Sequence, residues 1–73
     1  MPLSLVPSKR SVILQRIRGG GGVAAHLAAL GLLPGTRIEV RHNDHCGPIL
    51  IGINDGRLAL GRQMAEKLSV QEV

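Results

Sequence analysis

Four side chains able to bind a transition metal fall within five residues near the middle of the chain. His42, Asp44, His45 and Cys46 offer imidazole, carboxylate and thiolate groups, all of which are ligands of zinc or ferrous iron. A zinc site usually draws further ligands from a second segment, and no CxxC or HxxxH pattern occurs elsewhere. A second protomer could supply them. The pattern favours a solvated polar loop without a resident cofactor, with a metal site at His42, His45 and Cys46 as the alternative.

No other constellation indicates catalysis. The chain has no serine in a nucleophile motif, no carboxylate pair spaced for acid–base chemistry, and no evident base that would hold Cys46 as a thiolate. The four glycines at 19–22 are followed by Val23 and Ala24, whereas a phosphate-binding P-loop needs Lys and Ser or Thr there. We therefore interpret the glycine run as a slack connection and the protein as a non-enzyme.

The composition limits the class of partner. Nine basic and five acidic residues give a net charge of +4, which favours an acidic protein, an anionic membrane surface or nucleic acid. The chain has no Phe, Tyr or Trp, so it cannot build the aromatic platforms that hold single-stranded nucleic acid or proline-rich peptides. A basic barrel contacting phosphates stays open as an alternative, but we expect no nucleic-acid partner.

A helix followed by a sharp corner, residues 23–35, is the most distinctive local structure. Val23, Leu27 and Leu30 recur at helical spacing and predict the buried stripe. Gly31 can adopt the left-handed conformation that ends a helix. The Pro34-Gly35 pair then predicts a turn into the next strand. On the same helix His26 lies at the edge of the stripe, where we expect an exposed polar side chain.

The rest of the chain predicts strands. The predicted segments are 11–17, 36–42, 48–54, 57–60 and 68–70, with about one turn of helix at 62–67. The sequence Asn54-Asp55-Gly56 is a hairpin signal, and Leu3 and Leu5 could hold the amino-terminal segment on the core. Closing the sheet removes its free edges, so we expect the 68–70 strand to pair with the 11–17 strand. The prediction is a mainly β domain over 1–73, a small barrel of about five strands with one embedded short helix.

Two features bear on location. No run of 18 or more apolar residues could span a membrane. The single cysteine, Cys46, excludes an intramolecular disulfide, which suits a reducing cytoplasm. We therefore expect a cytoplasmic protein.

Several of these strings together resemble the FeoA family, ferrous iron transport protein A. They are Leu27, Leu30-Gly31-Leu32 and Pro34-Gly35 before an alternating strand, then Gly47-Pro48-Ile49, Leu58-Ala59-Leu60 and Val70. The chain departs from the family pattern at Ser8, where glycine is usual after Pro7, and at Gly61, where a polar or basic residue is common. The family often carries a basic residue at the position of His26.

The resemblance implies an SH3-like barrel in the bacterial cytoplasm. It also implies an accessory role in ferrous iron uptake, exerted on the large membrane transporter, ferrous iron transport protein B, whose cytosolic part binds guanine nucleotide. For the contact surface we nominate the corner Leu33, Pro34 and Gly35 together with Arg37 and Arg41, which alternate with Glu39 on the outer side of one strand. A merely solvated strand face is the alternative, and the oligomeric state is left open.

Overall fold

A computed structural model describes residues 1–54 and 56–73. Their elements are a 3₁₀ turn (Leu3–Leu5), β1 (Arg10–Ile17), α1 (Gly21–Ala29), β2 (Arg37–His42), β3 (Ile49–Ile53), β4 (Gly56–Leu60), α2 (Arg62–Glu66) and β5 (Leu68–Glu72). None of the helices in these residues is long and apolar enough to cross a membrane.

The five strands form one antiparallel sheet in the order β4-β3-β2-β1-β5. The predicted pairing of the last strand with the first is confirmed, since Leu14 lies opposite Val70 and Ile17 opposite Leu68. A register shift between Leu14 and Arg16 marks an irregularity in β1, of the kind that bends a strand and increases its twist. α2 connects the two edge strands, β4 and β5.

The core is aliphatic and follows the predicted alternation. Ile38 and Val40 of β2 are fully buried, and so are Ile49 and Ile51 of β3. The alternate residues of β2, Arg37, Glu39 and Arg41, are exposed. The amino-terminal segment does contribute to the core, but through Leu3 and Val6, while Leu5 is 59% exposed. The expectation for Leu5 is therefore wrong, because the 3₁₀ turn brings residues three apart, not two, onto one side.

The end of α1 has the predicted geometry. Gly31 has φ +93°, and the Leu32 N–H donates to the Leu27 carbonyl at 2.9 Å while the Gly31 N–H donates to the Ala28 carbonyl at 2.9 Å. These two hydrogen bonds define a Schellman motif. Leu27 and Leu32 are both fully buried, which supplies the apolar contact that accompanies the motif.

Two sequence predictions about α1 need correction. The helix begins at Gly21, not Val23, so half of the glycine run is helical and Gly20 is its N-cap. Tertiary packing of Leu27 compensates for the poor helix propensity of glycine. Leu30 is 39% exposed because it is the C-cap, beyond the last helical residue, where the chain turns toward Leu32.

The hairpin between β3 and β4 agrees with the prediction at the residues described. Ile53 lies opposite Gly56, and Asn54 has φ +50°, as a tight two-residue loop requires. Asp55, the other predicted turn residue, lies outside the described residues.

A buried amide ties the amino-terminal segment to the barrel. Asn43 Nδ2 donates to the Ser4 carbonyl at 3.0 Å and to the Val6 carbonyl at 2.8 Å. Its Oδ1 accepts from Arg62 Nη2 at 2.7 Å, and Arg62 Nη1 donates to the Ser4 carbonyl at 3.2 Å. The Asn43 N–H donates to Ser8 Oγ at 2.7 Å. One side chain thus joins the start of the chain, the end of β2 and α2.

We expect Gly31→Val to lower the melting temperature and Gly21→Ala to leave it unchanged or raise it slightly. A β-branched residue at φ +93° is strained by about 1–3 kcal/mol. A Cβ at Gly21 meets nothing within 4 Å, and alanine there restricts the unfolded chain, which is worth about 0.4–1 kcal/mol of added stability. Thermal melts followed by circular dichroism measure both. Equal melting temperatures would contradict the assignment of Gly31 as the helix stop.

Removing the buried amide should be costly for a domain of this size. We expect Asn43→Ala to reduce the free energy of unfolding by about 2–4 kcal/mol, because the Val6 carbonyl and the Arg62 guanidinium lose their buried partner. Urea denaturation measures the change, with Gln63→Ala on the exposed side of α2 as the control. A loss for Asn43→Ala no larger than that of the control would show that the network is not structural.

Candidate functional site

The corner between α1 and β2 is a rigid turn that presents an apolar side chain. The Thr36 N–H donates to the Leu33 carbonyl at 2.9 Å, and Gly35 has φ +94°. Pro at the second position and glycine with positive φ at the third are typical of a type II turn. The Leu33 N–H also donates to Thr36 Oγ1 at 3.2 Å. Leu33 itself is 53% exposed, so it is accessible to a partner.

Hydrogen bonds to β1 hold this corner on the sheet. The Gly35 N–H donates to the Leu14 carbonyl at 2.7 Å, and the Leu14 N–H donates to the Thr36 carbonyl at 2.9 Å. Leu14 is fully buried in the core. The exposed Leu33 and Pro34 are therefore carried by a fixed part of the fold and not by a free loop.

The arginines of β2 lie on the outer side of the sheet, where the sequence placed them. Arg41 Nη2 is 3.2 Å from Glu39 Oε1, and the two side chains are 43% and 51% exposed. An ion pair with this exposure contributes little to stability, but it neutralises part of the positive charge of Arg41. Arg37 comes directly after the corner and is exposed.

A shallow surface groove of about 710 Å³ joins some of the nominated contact residues. Gly35, Arg37 and Arg41 line it together with Ser11, Thr36, Glu39, Gly52, Asn54, Gly56 and Arg57. Leu33 and Pro34 are not in this lining but precede it directly along the chain. The sequence did not indicate that Gly52 and Arg57 would lie beside β2, among other lining residues that were not nominated, because this proximity depends on strand register, which local patterns do not give.

The loop after β2 is folded by its own polar side chains. Asn43 Oδ1 accepts from the His45 N–H at 3.1 Å, and Asp44 Oδ1 accepts from the Cys46 N–H at 3.1 Å. The Cys46 N–H lowers the pKa of the Asp44 carboxyl below its usual value, and the His42 side chain lowers that pKa further. These turns give each of Asn43 and Asp44 a backbone partner two residues on.

Of the candidate metal ligands in this loop, His42 and Asp44 lie close to each other. His42 Nε2 is 3.5 Å from Asp44 Oδ2, and Cys46 is exposed. Within residues 1–54 and 56–73, no group of three His, Cys, Asp or Glu side chains is placed to hold a metal ion. His45 has φ +68° and is exposed. His26 is likewise exposed, in the last turn of α1.

Sequence patterns did not predict the hydrogen-bond network formed by Asn43 and Arg62. The only signal for Asn43 is its place directly after an alternating strand, where a short amide side chain often hydrogen-bonds nearby backbone. Arg62 follows Gly61, the N-cap of α2, and its Nε atom is buried without a partner among the described residues. Asn43 is buried and Arg62 is partly buried, and the hydrogen bonds that join them to each other and to Ser4 link residues far apart in sequence.

Comparisons with known proteins agree on one family. The family model of the FeoA domain matches residues 1–72. A protein of Methanocaldococcus jannaschii, named "Putative Fe(2+) transport protein A", is 30% identical over 71 residues, covering 97% of this chain and 85% of that one.

Solved structures give the same result for the fold. The crystal structure of an Iron Uptake Regulatory Protein (FeoA) is 32% identical with a TM-score of 0.94, covering 100% of this chain and 97% of that one. The Stenotrophomonas maltophilia FeoA complexed with zinc, described as an SH3 domain protein, has a TM-score of 0.83 at 22% identity, covering 97% and 89% of the two chains. The mainly β, SH3-like fold expected from the sequence is confirmed, and the chain belongs to the FeoA family.

Proposed function

We propose that this chain is a cytoplasmic, non-enzymatic accessory protein of ferrous iron uptake that acts by binding the large membrane transporter, ferrous iron transport protein B. Membership of the FeoA family supports the link to iron transport. So does the similarity to a relative named for Fe(2+) transport. The docking mechanism rests on this chain's own surface.

The observation that carries the proposal is the exposed Leu33 on a corner fixed to β1. A protein interface typically has an apolar centre that excludes water and a polar rim, and arginine is enriched in it. Leu33 and Pro34 supply an apolar centre, and Arg37 supplies a cation next to it. Because the corner is held by backbone hydrogen bonds, docking would cost little conformational entropy on this side.

Substituting the apolar centre tests the proposal. Leu33→Asp should abolish stimulation of iron uptake and capture of the transporter's cytosolic region, since a carboxylate would be desolvated in the contact. Because Leu33 is already exposed, we expect the melting temperature to change little. Ferrous iron uptake by cells expressing the variant, and co-purification with the transporter, are the measurements.

Leu5→Asp is the matched control, because Leu5 is equally accessible but lies in the 3₁₀ turn at the start of the chain. It should leave uptake at the parent level. If folded Leu33→Asp protein supports uptake as well as the parent, the docking surface lies elsewhere, and the glycine run at 19–22 together with His26 becomes the next candidate.

A metal-binding module is the rival function, since His42 and Asp44 already form a pair. If docking is the function, the loop needs no resident metal. Because structural zinc sites use four ligands, we expect zinc or ferrous ion to bind the monomer no tighter than about micromolar. Isothermal calorimetry under anaerobic conditions measures this. Nanomolar affinity that disappears in both His45→Ala and Cys46→Ser would favour the metal module.

A further inference from the structure

One row of residues crosses the outer side of the sheet from β1 to β4. Ser11 lies opposite Glu39, Glu39 opposite Gly52, and Gly52 opposite Arg57. Residues that are directly opposite each other in an antiparallel sheet point to the same side. The row therefore places a small hydroxyl, a carboxylate, a missing side chain and a guanidinium next to one another across the groove.

Gly52 forms the floor of this groove. A glycine inside a strand weakens the strand, and it often marks a place where another group approaches the backbone closely. Here that group is Arg41, whose Nε atom lies 2.8 Å from the position that a Cβ on residue 52 would take. The Arg41 side chain thus lies flat over the backbone of β3, toward the Glu39 carboxylate that it contacts.

Within the part of the chain that the structure describes, the lining of the groove has an excess of positive charge. It includes the guanidinium groups of Arg37, Arg41 and Arg57 and, of these described residues, one carboxylate, that of Glu39. Glu39 is engaged by Arg41. Among residues 1–54 and 56–73, Arg37 and Arg57 have no carboxylate within 4.0 Å. Gly52 and Arg57 share a row with Glu39, so Arg37 and Arg57 are separated by two strand spacings across the sheet and two residues along it, about 12 Å between their backbone positions.

We propose that this groove binds an extended, acidic segment of the partner protein, with separate carboxylates on Arg37 and Arg57. The inference rests on the proposed docking function and names the chemistry of the segment that is recognised. Alternate side chains of an extended peptide lie on one side about 7 Å apart, a spacing that the long arginine side chains can accommodate. The absent side chain at Gly52 lets the Arg41 side chain lie flat against β3, so this flexible side chain covers the floor of the groove between Arg37 and Arg57.

Two features favour protein carboxylates over phosphate ligands. Glu39 lies in the middle of the groove and would repel a compact, multiply charged phosphate group, whereas carboxylates spaced along a peptide can bind on either side of it. The chain has no aromatic residue on which a nucleotide base could stack. The groove therefore matches separated single charges.

The test uses the isolated protein and a defined probe. A synthetic peptide of alternating Asp and Ser is titrated into ¹⁵N-labelled protein, and backbone amide and arginine Nε–Hε shifts are followed by NMR. We expect saturable shifts at Gly52, Arg41 and Arg57, and weaker binding as salt screens the charges. The same peptide with Asn in place of Asp should not bind.

Three variants make the charge assignment specific. Arg57→Gln should weaken peptide binding about two- to fivefold, the range expected for one exposed charge pair. Arg16→Gln on the exposed end of β1 removes the same charge outside the groove and should leave the affinity unchanged. Glu39→Gln should tighten binding by a similar factor, because it removes the repelling carboxylate and releases Arg41.

Gly52→Ala tests the floor of the groove. The added methyl meets only the flexible end of Arg41 and alanine suits a strand at least as well as glycine, so the fold should survive while peptide binding weakens. Unchanged melting temperature with lost peptide shifts is the expected result.

Several outcomes would overturn the inference. They are equal binding of the Asn peptide, shifts confined to residues outside the groove, no gain with Glu39→Gln, or tighter binding of inorganic phosphate or GTP than of the Asp peptide. None of these touches the uptake assay on Leu33→Asp. A negative peptide titration with a defective Leu33→Asp variant removes the groove as the contact and leaves the docking function standing.

Discussion

The fold depends on satisfying one buried amide. Asn43 is almost fully buried, and its Nδ2 and Oδ1 bond to the amino-terminal segment and to Arg62 of α2. Each polar group left unsatisfied there would cost about 1–3 kcal/mol. The amino-terminal segment, Asn43 and α2 should therefore unfold together and not one at a time. The network fixes the amino-terminal segment, whose Leu3 and Val6 are fully buried in the core.

Because its own side chains fill the interior of the domain, any binding surface lies on the outside. Its interior is packed with aliphatic side chains and carries no aromatic residue that could line a ligand pocket. What the molecule presents instead is an apolar corner at Leu33 and a cationic groove with Arg37 and Arg57. The first has the character of the dry centre of a protein interface, and the second has the charge that would attract an acidic peptide.

The sequence by itself determined the elements and the corner. Alternating apolar residues located β2 and β3, because side chains alternate between the two sides of any strand whatever its partners. Gly31 and the Pro34-Gly35 pair determined where α1 stops and where the turn lies, since few residues tolerate those backbone angles. The strings at these positions were enough to indicate the family.

Only the tertiary structure decided which residues meet. Asn43 reaches carbonyls more than thirty residues away, and Gly52 and Arg57 join the arginines of β2 through strand register. Neither relation has a local signature, because register is set by packing of the whole core. The start of α1 at Gly21 likewise has no signal in helix propensity, because glycine is a weak helix former and helices in proteins gain most of their stability from packing of an apolar face.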